Sequence, residues 1–552
     1  MDSSYKNSKE AFISGMAGSS IGHINMVSLA ALSSIALYSA MKTRLFMNKS
    51  MGFLVEFVIL VVPLLLSVTL FARSPGQLTL ILLSPTGLLL LMSRGGSGVV
   101  LPSSSNSIRV TKGSGESGAA SQGREKADSP PVRSFNRLPA LTTYRAHMLL
   151  LTFLCILAVD FPVFPRMLAK CETFGVSLMD LGVGSFVFSQ GIISAMPVVK
   201  NPAHLTEPLV AKVLKVIRKC YPLFVLGLFR TLSVKGVEYP EHQTEYGTHW
   251  NFFFTLGFIP ILQVLLHPLM VGIPISLLAV LVALLQQVAL SNGLMSYVFK
   301  APRVNLVSSN KEGIVSLSGY LAIHLLGLYT GTIVLPPSPS YFRRCQKGLS
   351  QPKDKSGKRP THEHDESKRK VDNMSSGLSS AQQTNRENDK TAIELCAYSV
   401  LWWTLLGCTM LLDIGGGVSR RLVNLQYILW VAAYNTSFLL GYLVLDLLFF
   451  ASPSSRSRYS PYSKLKVKPD PAVLSTSERT LRAAARAPPL LEAINHNGLV
   501  LFLLANLATG LVNLTMPTMY MSDPAAMAVL SLYSLTICGV AWTSRNTKLW
   551  TF

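Results

Sequence analysis

The segment Leu157–Gly184, LAVDFPVFPRMLAKCETFGVSLMDLGVG, decides how this chain is organised. An apolar run that begins near Ala146 ends at Asp160 and is followed by two Phe-Pro pairs. Because proline cannot continue a helix and restricts the residue before it, this connection is predicted to be a shaped loop between two helices. A second apolar run follows Lys170, with Asp180 and two glycines at its head. Charged side chains at the ends of membrane spans are costly and usually functional, so this loop is the first candidate site.

The composition places the chain among polytopic membrane proteins. It has 552 residues, of which 49% are hydrophobic and only 14% are charged. Because a bilayer core about 30 Å thick requires roughly 20 mainly apolar residues for each helix, the apolar runs predict an all-α membrane protein of about 13 transmembrane helices. The segments 146–160 and 221–235 fit the length rule least well. The predicted spans are 24–41, 53–72, 76–93, 146–160, 176–196, 221–235, 250–268, 271–295, 313–335, 393–412, 422–450, 498–514 and 524–544.

The basic residues lie in loops, and their distribution predicts the orientation of the chain. The formal net charge of +22 would by itself fit a nucleic-acid-binding protein. By the span count, however, every basic cluster falls on one side of the membrane, and the positive-inside rule makes that side cytoplasmic. The N-terminus is then lumenal and the C-terminus cytoplasmic, and the expected partners are membrane lipids, with no nucleic acid. The basic clusters are Lys42 with Arg44 and the segments 94–145, 212–219, 343–390 and 456–486.

Three polar inserts interrupt what is predicted to be a single membrane domain of residues 1–552. Residues 97–140, 345–391 and 452–490 are rich in serine and basic residues, with glycine or proline. Their low hydrophobicity predicts flexible cytoplasmic loops. The seven cysteines show no paired spacing, so neither a disulfide framework nor a zinc site is expected. The sequence does not indicate an oligomeric state.

Short loops on the predicted lumenal side carry most of the polar chemistry. This face has little net positive charge, so the positive-inside rule does not account for its polar residues. We therefore expect the active site there. Besides the loop from Asp160 to Lys170, the segments are VEYPEHQTEYGTHWN (237–251), NLVSSNKEG (305–313), DIGGGVSRRLVN (413–424) and TGLVNLT (509–515).

Asp160 and Lys170 each have a functional and a structural interpretation. Desolvation and a nearby cation tune the acidity of a carboxylate, so Asp160 is suited to act as a general base. It is equally suited to be a helix-end carboxylate paired with Arg166 or Lys170. Lys170 either tunes Asp160 or extends to the membrane interface, as lysines at span ends often do.

Further polar residues also leave two interpretations open. Asp180 and Ser177 suit the N-terminus of the next helix as capping residues. Arg420 and Arg421 suit a phosphate, because guanidinium groups bind phosphate oxygens in bidentate fashion, or they anchor the chain at the interface. His324 lies within a predicted span, where it either packs or contributes to a site.

The histidines of the loop at 237–251 do not predict a metal centre. His242, Glu245 and His249 are spaced differently from the His-Glu-x-x-His zinc helix. Acid–base chemistry or hydrogen bonding to a lipid head group is the better expectation for His249. No metal is therefore expected.

The motifs in these loops resemble those of the glucosaminyl-phosphatidylinositol acyltransferases. These enzymes attach a fatty acyl chain to inositol during GPI-anchor assembly in the endoplasmic reticulum. The resemblance runs in order over nearly the whole chain, and its gaps coincide with the polar inserts. It rests on residues 157–189, which extend the opening segment by SFVFS, and on KEAFISGMAGSSIGHIN (Lys9–Asn25), YPEHQTEYGTHWNFFFTL (Tyr239–Leu256), NKEGIVSLSGYLAIHLLG (Asn310–Gly327), SRRLVNLQYILW (Ser419–Trp430) and ANLATGLVNLTM (Ala505–Met516).

This resemblance implies a reaction and a set of residues. Acyl-CoA, expected to be palmitoyl-CoA, would donate its acyl chain to the inositol 2-hydroxyl of glucosaminyl-phosphatidylinositol, and no bound cofactor is expected. On the matched motif positions, Asp160 would take the hydroxyl proton, and Lys170 would tune Asp160 and stabilise the oxyanion. A multi-pass protein of the endoplasmic reticulum membrane is implied. The expected substrate-binding residues are Arg166, Asp180, Glu241, His249, Asn251, Lys311, His324 and Arg421.

The residues alone leave two other classes of function open. A lipid transporter or scramblase would also have many spans and intramembrane charges, although such proteins often contain paired half-repeats and none is visible here. A non-catalytic membrane subunit would explain the spans but not the Asp, Lys and His residues. Because acyl-CoA is cytosolic and the motifs are predicted to be lumenal, either the thioester arm reaches the site through a cavity between helices or the two weakest spans, 146–160 and 221–235, are miscounted.

Overall fold

The computed structural model describes residues 12, 15–46, 51–92, 138–236, 243–350, 386–450 and 487–549. Within these ranges the chain is helical and contains no β-strand. The predicted inserts lie mostly outside the described residues, and so does Glu241. The all-α prediction is therefore confirmed for the part of the chain that the structure describes.

Twenty α-helices lie in the part of the chain that the structure describes. The first ten are α1 (Ile21–Arg44), α2 (Phe53–Leu60), α3 (Val62–Val68), α4 (Pro75–Leu91), α5 (Pro139–Ala158), α6 (Leu178–Lys200), α7 (Leu209–Gly236), α8 (Gln243–Tyr246), α9 (Phe252–Leu265) and α10 (His267–Gly272). The remaining ten are α11 (Ile275–Ala289), α12 (Met295–Lys300), α13 (Leu306–Ser309), α14 (Lys311–Val334), α15 (Tyr341–Ser350), α16 (Asn388–Leu411), α17 (Leu425–Phe449), α18 (Pro489–His496), α19 (Gly498–Thr515) and α20 (Asp523–Thr543).

Among the described residues, 9 helices are long and apolar enough to cross a membrane. They are α1, α5, α6, the continuous unit Ile275–Lys300, α14, α16, α17, α19 and α20. Three shorter apolar segments, Phe53–Val68, α4 and α9, also coincide with predicted spans. The chain is thus a polytopic helical membrane protein, and the count of thirteen spans stays a prediction.

The two segments that fitted the length rule least well belong to longer helices. α5 begins at Pro139 instead of near Ala146, because the polar side chains of its first turns find partners inside the protein. The Tyr144 hydroxyl donates to Asn435 Oδ1 at 2.6 Å, and Arg145 Nε donates to Ser189 Oγ at 3.2 Å. Burying polar groups in this way is tolerated only when they are hydrogen-bonded.

The second of these segments is the later part of α7. Its preceding turns are basic, and their polarity masks the full length of the helix in the sequence. Lys212 Nζ donates to the carbonyl oxygens of His204 and Leu205, both at 3.1 Å. This contact ties the basic half of α7 to the connection that follows α6.

The centre of the bundle is the crossing of α6 and α14. A Cβ atom on Gly191 would lie 2.1 Å from the carbonyl oxygen of His324, and one on Gly327 would lie 2.1 Å from that of Phe188. Glycine at both positions therefore lets the two backbones touch, as small residues do between membrane helices. The crossing holds the first turns of α6 and α14 beside each other at one end of the bundle.

That end is called the site face. It comprises the connections 159–177, 243–251, 301–310, 412–424 and 516–522, which join helices on the same side of the bundle. The connections 201–208 and 335–340 lie on the other side, called the opposite face. The site face therefore gathers the polar loops that the sequence placed together.

Candidate active site on the site face

Arg166 holds the Phe-Pro loop in shape. Its Nη2 donates to the carbonyl oxygens of Val159, Phe161 and Phe164 at 2.8, 3.0 and 2.9 Å. Its guanidinium carbon also lies 4.1 Å from the centre of the Phe12 ring. Burial lowers the pKa of Arg166 to about 10 against the opposing charge of Asp160, so the side chain stays cationic at neutral pH. Arg166 thus fixes the shape of the loop that carries Asp160, the candidate general base.

Asp160 lies at the end of α5, with only 4% of its surface exposed. Its Oδ2 accepts a hydrogen bond from Asn513 Nδ2 at 2.8 Å. The Oδ1 of Asn513 accepts in turn from the Thr518 hydroxyl at 3.2 Å. The end of α19 therefore reaches the carboxylate, and two motifs 353 positions apart meet at this point.

Lys170 begins a chain of charged groups across the site face. Its Nζ donates to Glu245 Oε1 at 2.6 Å. Arg420 Nη1 lies 3.5 Å from the same oxygen. Arg420 Nε donates to Asp180 Oδ1 at 2.5 Å, and the side chains of this second pair are almost fully buried. Lys170 is thus paired with Glu245 rather than with Asp160.

Neighbouring opposite charges set the pKa values of Glu245 and Arg420. Burial would raise the pKa of Glu245, but the adjacent Lys170 and Arg420 outweigh it and hold the pKa at about 2. Burial opposes the charge of Arg420, yet Glu245 and Asp180 raise its pKa well above the usual value. Glu245 and Arg420 are therefore ionised at neutral pH.

Asp180 anchors the start of α6. Its Oδ2 accepts from the Ser177 hydroxyl at 2.8 Å and from the backbone N–H of Cys171 at 2.9 Å. The Ser177 hydroxyl accepts from the Asp180 backbone N–H, which caps the helix. Asp180 thus positions the loop and α6, as the capping interpretation predicts. Burial and then the charge of Asp180 raise the pKa of the Cys171 thiol to about 12, which disfavours a thiolate nucleophile there.

The N-terminal segment lies on the same loop. The Ser19 backbone N–H donates to the Val176 carbonyl oxygen at 2.7 Å. Gly18 has φ +80° and Gly175 has φ +148°, and a Cβ on either would lie 2.7 Å from the Cys171 sulfur. Both positions require glycine because the backbone is left-handed and the approach is close. The N-terminal motif is therefore part of the site.

A cavity of about 350 Å³ extends from the site face into the bundle. We call its outer end the cavity mouth, which is lined by Lys170, Arg230, Glu245 and His249. Its walls are mainly apolar. They include Met148, Leu151, Ile156, Leu178, Val183, Phe186, Phe252 and Phe502. We call its inner end the cavity floor. The floor is lined by Ala31, Tyr144, His147 and Tyr442.

His249 and Asn251 line the cavity in different ways. The Nδ1 atom of His249 is buried and has no hydrogen-bond partner among the described residues, so it is available to a ligand. Both polar atoms of the Asn251 amide already have hydrogen-bond partners. Its Oδ1 accepts from the Phe253 N–H at 3.0 Å, and its Nδ2 donates to the Gly227 carbonyl at 2.8 Å. Asn251 caps α9 and shapes the cavity wall.

A second charged cluster surrounds Glu312 at the start of α14. Glu312 is fully buried and pairs with Arg303 at 2.6 Å and with Arg421 at 2.9 Å. Nε of Arg421 has no partner in the described part of the chain. Lys311 donates to the carbonyl oxygens of Ala301 and Tyr297. This cluster adjoins the charge chain through the neighbouring residues Arg420 and Arg421.

His324 lies away from these groups. It is fully buried within α14, and its Nε2 is 3.3 Å from Gln263 Oε1. It does not line the cavity. Its place beside the glycine crossing is that of a packing histidine, the structural alternative that the sequence left open.

Sequence reasoning missed the contacts that three residues make in the site. Glu245 and Arg420 form the charge chain, and Arg230 lines the cavity mouth close enough to lower the pKa of Glu245. Glu245 and Arg420 lie within the polar segments 237–251 and 413–424, so their loops were recognised and their roles were not. Among the described residues, no cluster of three His, Cys, Asp or Glu side chains is placed to hold a metal ion.

Known proteins match the amino-acid sequence over nearly its whole length. The GWT1 family model matches residues 5–544, which contain every segment of the site. The chain belongs to the GWT1 family. Among its GWT1-family relatives, the GPI-anchored wall transfer protein 1 of Aspergillus fumigatus is 38% identical, over 100% of this chain and 99% of the relative. The proteins of that name from Cryptococcus neoformans var. grubii and Gibberella zeae are 36% and 37% identical, over 99% and 98% of this chain and 99% and 97% of their own lengths.

Proposed function

We propose that this protein transfers a fatty acyl chain from acyl-CoA to the inositol 2-hydroxyl of glucosaminyl-phosphatidylinositol, a step in GPI-anchor biosynthesis in the endoplasmic reticulum membrane. One observation carries the proposal: a cavity with apolar walls ends at a mouth lined by Lys170, which lies on the same loop as Asp160. Such a cavity suits an acyl chain whose reactive end lies at the polar mouth. The names of the GWT1-family relatives, which refer to GPI-anchored wall transfer, agree with this pathway.

The proposed chemistry needs no bound cofactor. Asp160 takes the proton of the inositol hydroxyl as its oxygen attacks the thioester carbonyl carbon. The new C–O ester bond forms, the C–S bond breaks, and the proton passes from Asp160 to the CoA thiolate. Lys170, oriented by Glu245, stabilises the oxyanion at the cavity mouth. The donor is expected to be palmitoyl-CoA.

The lipid acceptor needs partners for its phosphate and sugar. Arg421 offers an unpartnered Nε, and Arg230 offers an exposed guanidinium at the cavity mouth. His249 offers Nδ1 to a hydroxyl group. Glu241 and Lys311 stay candidates, whereas Arg166, Asp180, Asn251 and His324 would act through the shape of the site.

The proposed topology has thirteen spans, with the site face lumenal and the C-terminus cytoplasmic. The cavity then runs from the lumenal side into the membrane, and the acyl chain of cytosolic acyl-CoA reaches the site within it. The basic inserts that precede α5, follow α15 and follow α17 would lie in the cytosol.

The experiment that tests this function uses purified protein with glucosaminyl-phosphatidylinositol and palmitoyl-CoA, analysed by mass spectrometry. The expected result is a lipid product heavier by one palmitoyl chain, with release of free CoA. A folded protein that makes no such product but moves the lipid across a vesicle bilayer would instead establish the transporter alternative.

A further inference from the structure

We infer that the cavity floor sets the length of the acyl chain that the protein transfers. This inference rests on the proposed function, because it assumes that the cavity holds the donor chain. It assigns a selective role to the floor residues, which lie deep in the bundle and away from the charged groups of the mouth.

The floor is polar, unlike the walls above it. The Tyr144 hydroxyl donates to Asn435 Oδ1 at 2.6 Å. The His147 Nδ1 and the Tyr442 hydroxyl lie 2.7 Å apart, and both residues line the cavity. These two pairs join α5 to α17 across the inner end of the cavity.

One buried polar atom at this level has no partner among the described residues. It is Nε2 of His147, a residue 2% exposed. Hydrocarbon pushed against such a group would deprive it of any hydrogen bond, which is costly. The floor therefore resists each methylene that would extend beyond the apolar walls.

The depth of the cavity floor determines the length of the acyl chain that the cavity admits. Tyr144 lies near the start of α5, and Ala158 ends the helix beside Asp160, so they are about 21 Å apart along the helix axis. With the thioester at Lys170, a long acyl chain runs past Ile156, Leu151 and Met148 to the floor. A chain that ends at the floor fills the apolar part of the cavity and leaves the polar pairs intact.

The test is a competition among acyl donors. Purified protein receives glucosaminyl-phosphatidylinositol and an equimolar mixture of acyl-CoA donors with saturated chains of graded length, and mass spectrometry gives the ratio of products. The double variant His147→Leu/Tyr442→Leu removes both partners of one pair together, so no new unpaired group is created. It should favour longer chains, by about fourfold for each additional methylene that becomes buried.

A second variant tests the opposite direction. Ala31→Leu adds volume at the floor and should shift the products toward shorter chains by a similar factor. The matched control is Tyr533→Phe, which removes a buried hydroxyl bonded to the Phe153 and Ala505 carbonyls away from the cavity. The control should keep the wild-type ratio.

The outcomes separate this inference from the proposed function. If the wild-type protein forms no acylated product, the proposed function fails. If it forms product and either floor variant retains activity with the wild-type ratio, the inference is overturned. Should one floor variant fail to fold, the other still decides, because the ratio of products does not depend on the amount of active protein.

Discussion

Lys170 and Glu245 form an ion pair of 2.6 Å between the Phe-Pro loop and a segment 75 positions later in the chain. Lys170 lines the cavity mouth, so the carboxylate that orients it also orients any charge it offers to a substrate. Glu245 is itself held by Arg420, whose partner Asp180 anchors α6. The position of the lysine therefore depends on three loops of the site face.

Replacing Glu245 by Gln should slow catalysis while the donor still binds. The change keeps the side-chain shape but removes the charge that positions Lys170. Since a hydrogen bond between charged groups contributes about 1.5–3 kcal/mol, kcat should fall about tenfold to a hundredfold with KM for palmitoyl-CoA little changed. Steady-state kinetics measure both constants. Glu207→Gln, the same change at an exposed carboxylate on the opposite face, is the control and should leave kcat unaltered.

Stability should depend on pH through the same carboxylate. The pKa of Glu245 in the folded protein, about 2, lies below its ordinary value of 4.5, so the ionised form stabilises the fold. This stabilisation, about 3 kcal/mol, is complete above the ordinary pKa and is lost as the pH falls toward the pKa of the folded protein. The melting temperature of Glu245→Gln should lie below that of the wild type by a constant amount from pH 8 to about 5, and the gap should narrow in more acidic buffer. A gap that widened on acidification would contradict the pairing.

The N-terminal segment should tolerate no side chain at Gly18. Alanine there meets a left-handed backbone and would place its Cβ 2.5 Å from the Val176 carbonyl oxygen. The variant should lose about 1–3 kcal/mol of stability and most of its activity, because the segment packs on the catalytic loop. Thermal unfolding and the acyl-transfer assay measure both effects. Gly22→Ala, where a Cβ meets nothing within 4 Å, serves as the control and should behave as the wild type.

In a background in which the seven native cysteines are replaced by serine, the topology predicts which engineered cysteines a membrane-impermeant maleimide reaches in sealed microsomes. Thr248→Cys, on the site face, should react only after the membrane is permeabilised. Ser340→Cys, exposed on the opposite face, should react in intact vesicles. Labelling of the Thr248→Cys protein in intact vesicles would refute a lumenal site face.

The predicted spans coincide with helices because a membrane helix is specified by its local sequence, as a run of apolar residues. The boundaries were wrong where the polar residues of a helix find distant partners. Tyr144 bonds to Asn435 and Arg145 to Ser189, so polarity that suggested a loop belongs inside α5. No local pattern contains that information.

The sequence predicted which loops form the candidate site, but it did not predict the contacts between them. The Phe-Pro loop, the segment 243–251 and the Arg420-Arg421 pair all lie on the site face, as the polar segments predicted. The pairing of Lys170 with Glu245 and of Asp160 with Asn513 depends on how the bundle folds, since each joins loops that are far apart in sequence. Roles assigned by resemblance alone could not reveal these partners.

The most direct test of the account is the acyl-transfer assay on the Asp160→Asn variant, which keeps the shape of the side chain and removes its basicity. The account predicts a wild-type melting temperature, undiminished binding of palmitoyl-CoA, and acyl transfer reduced by about a hundredfold to ten-thousandfold. Transfer at the wild-type rate by this variant would contradict the assignment of Asp160 as the general base and, with it, the central claim about the site.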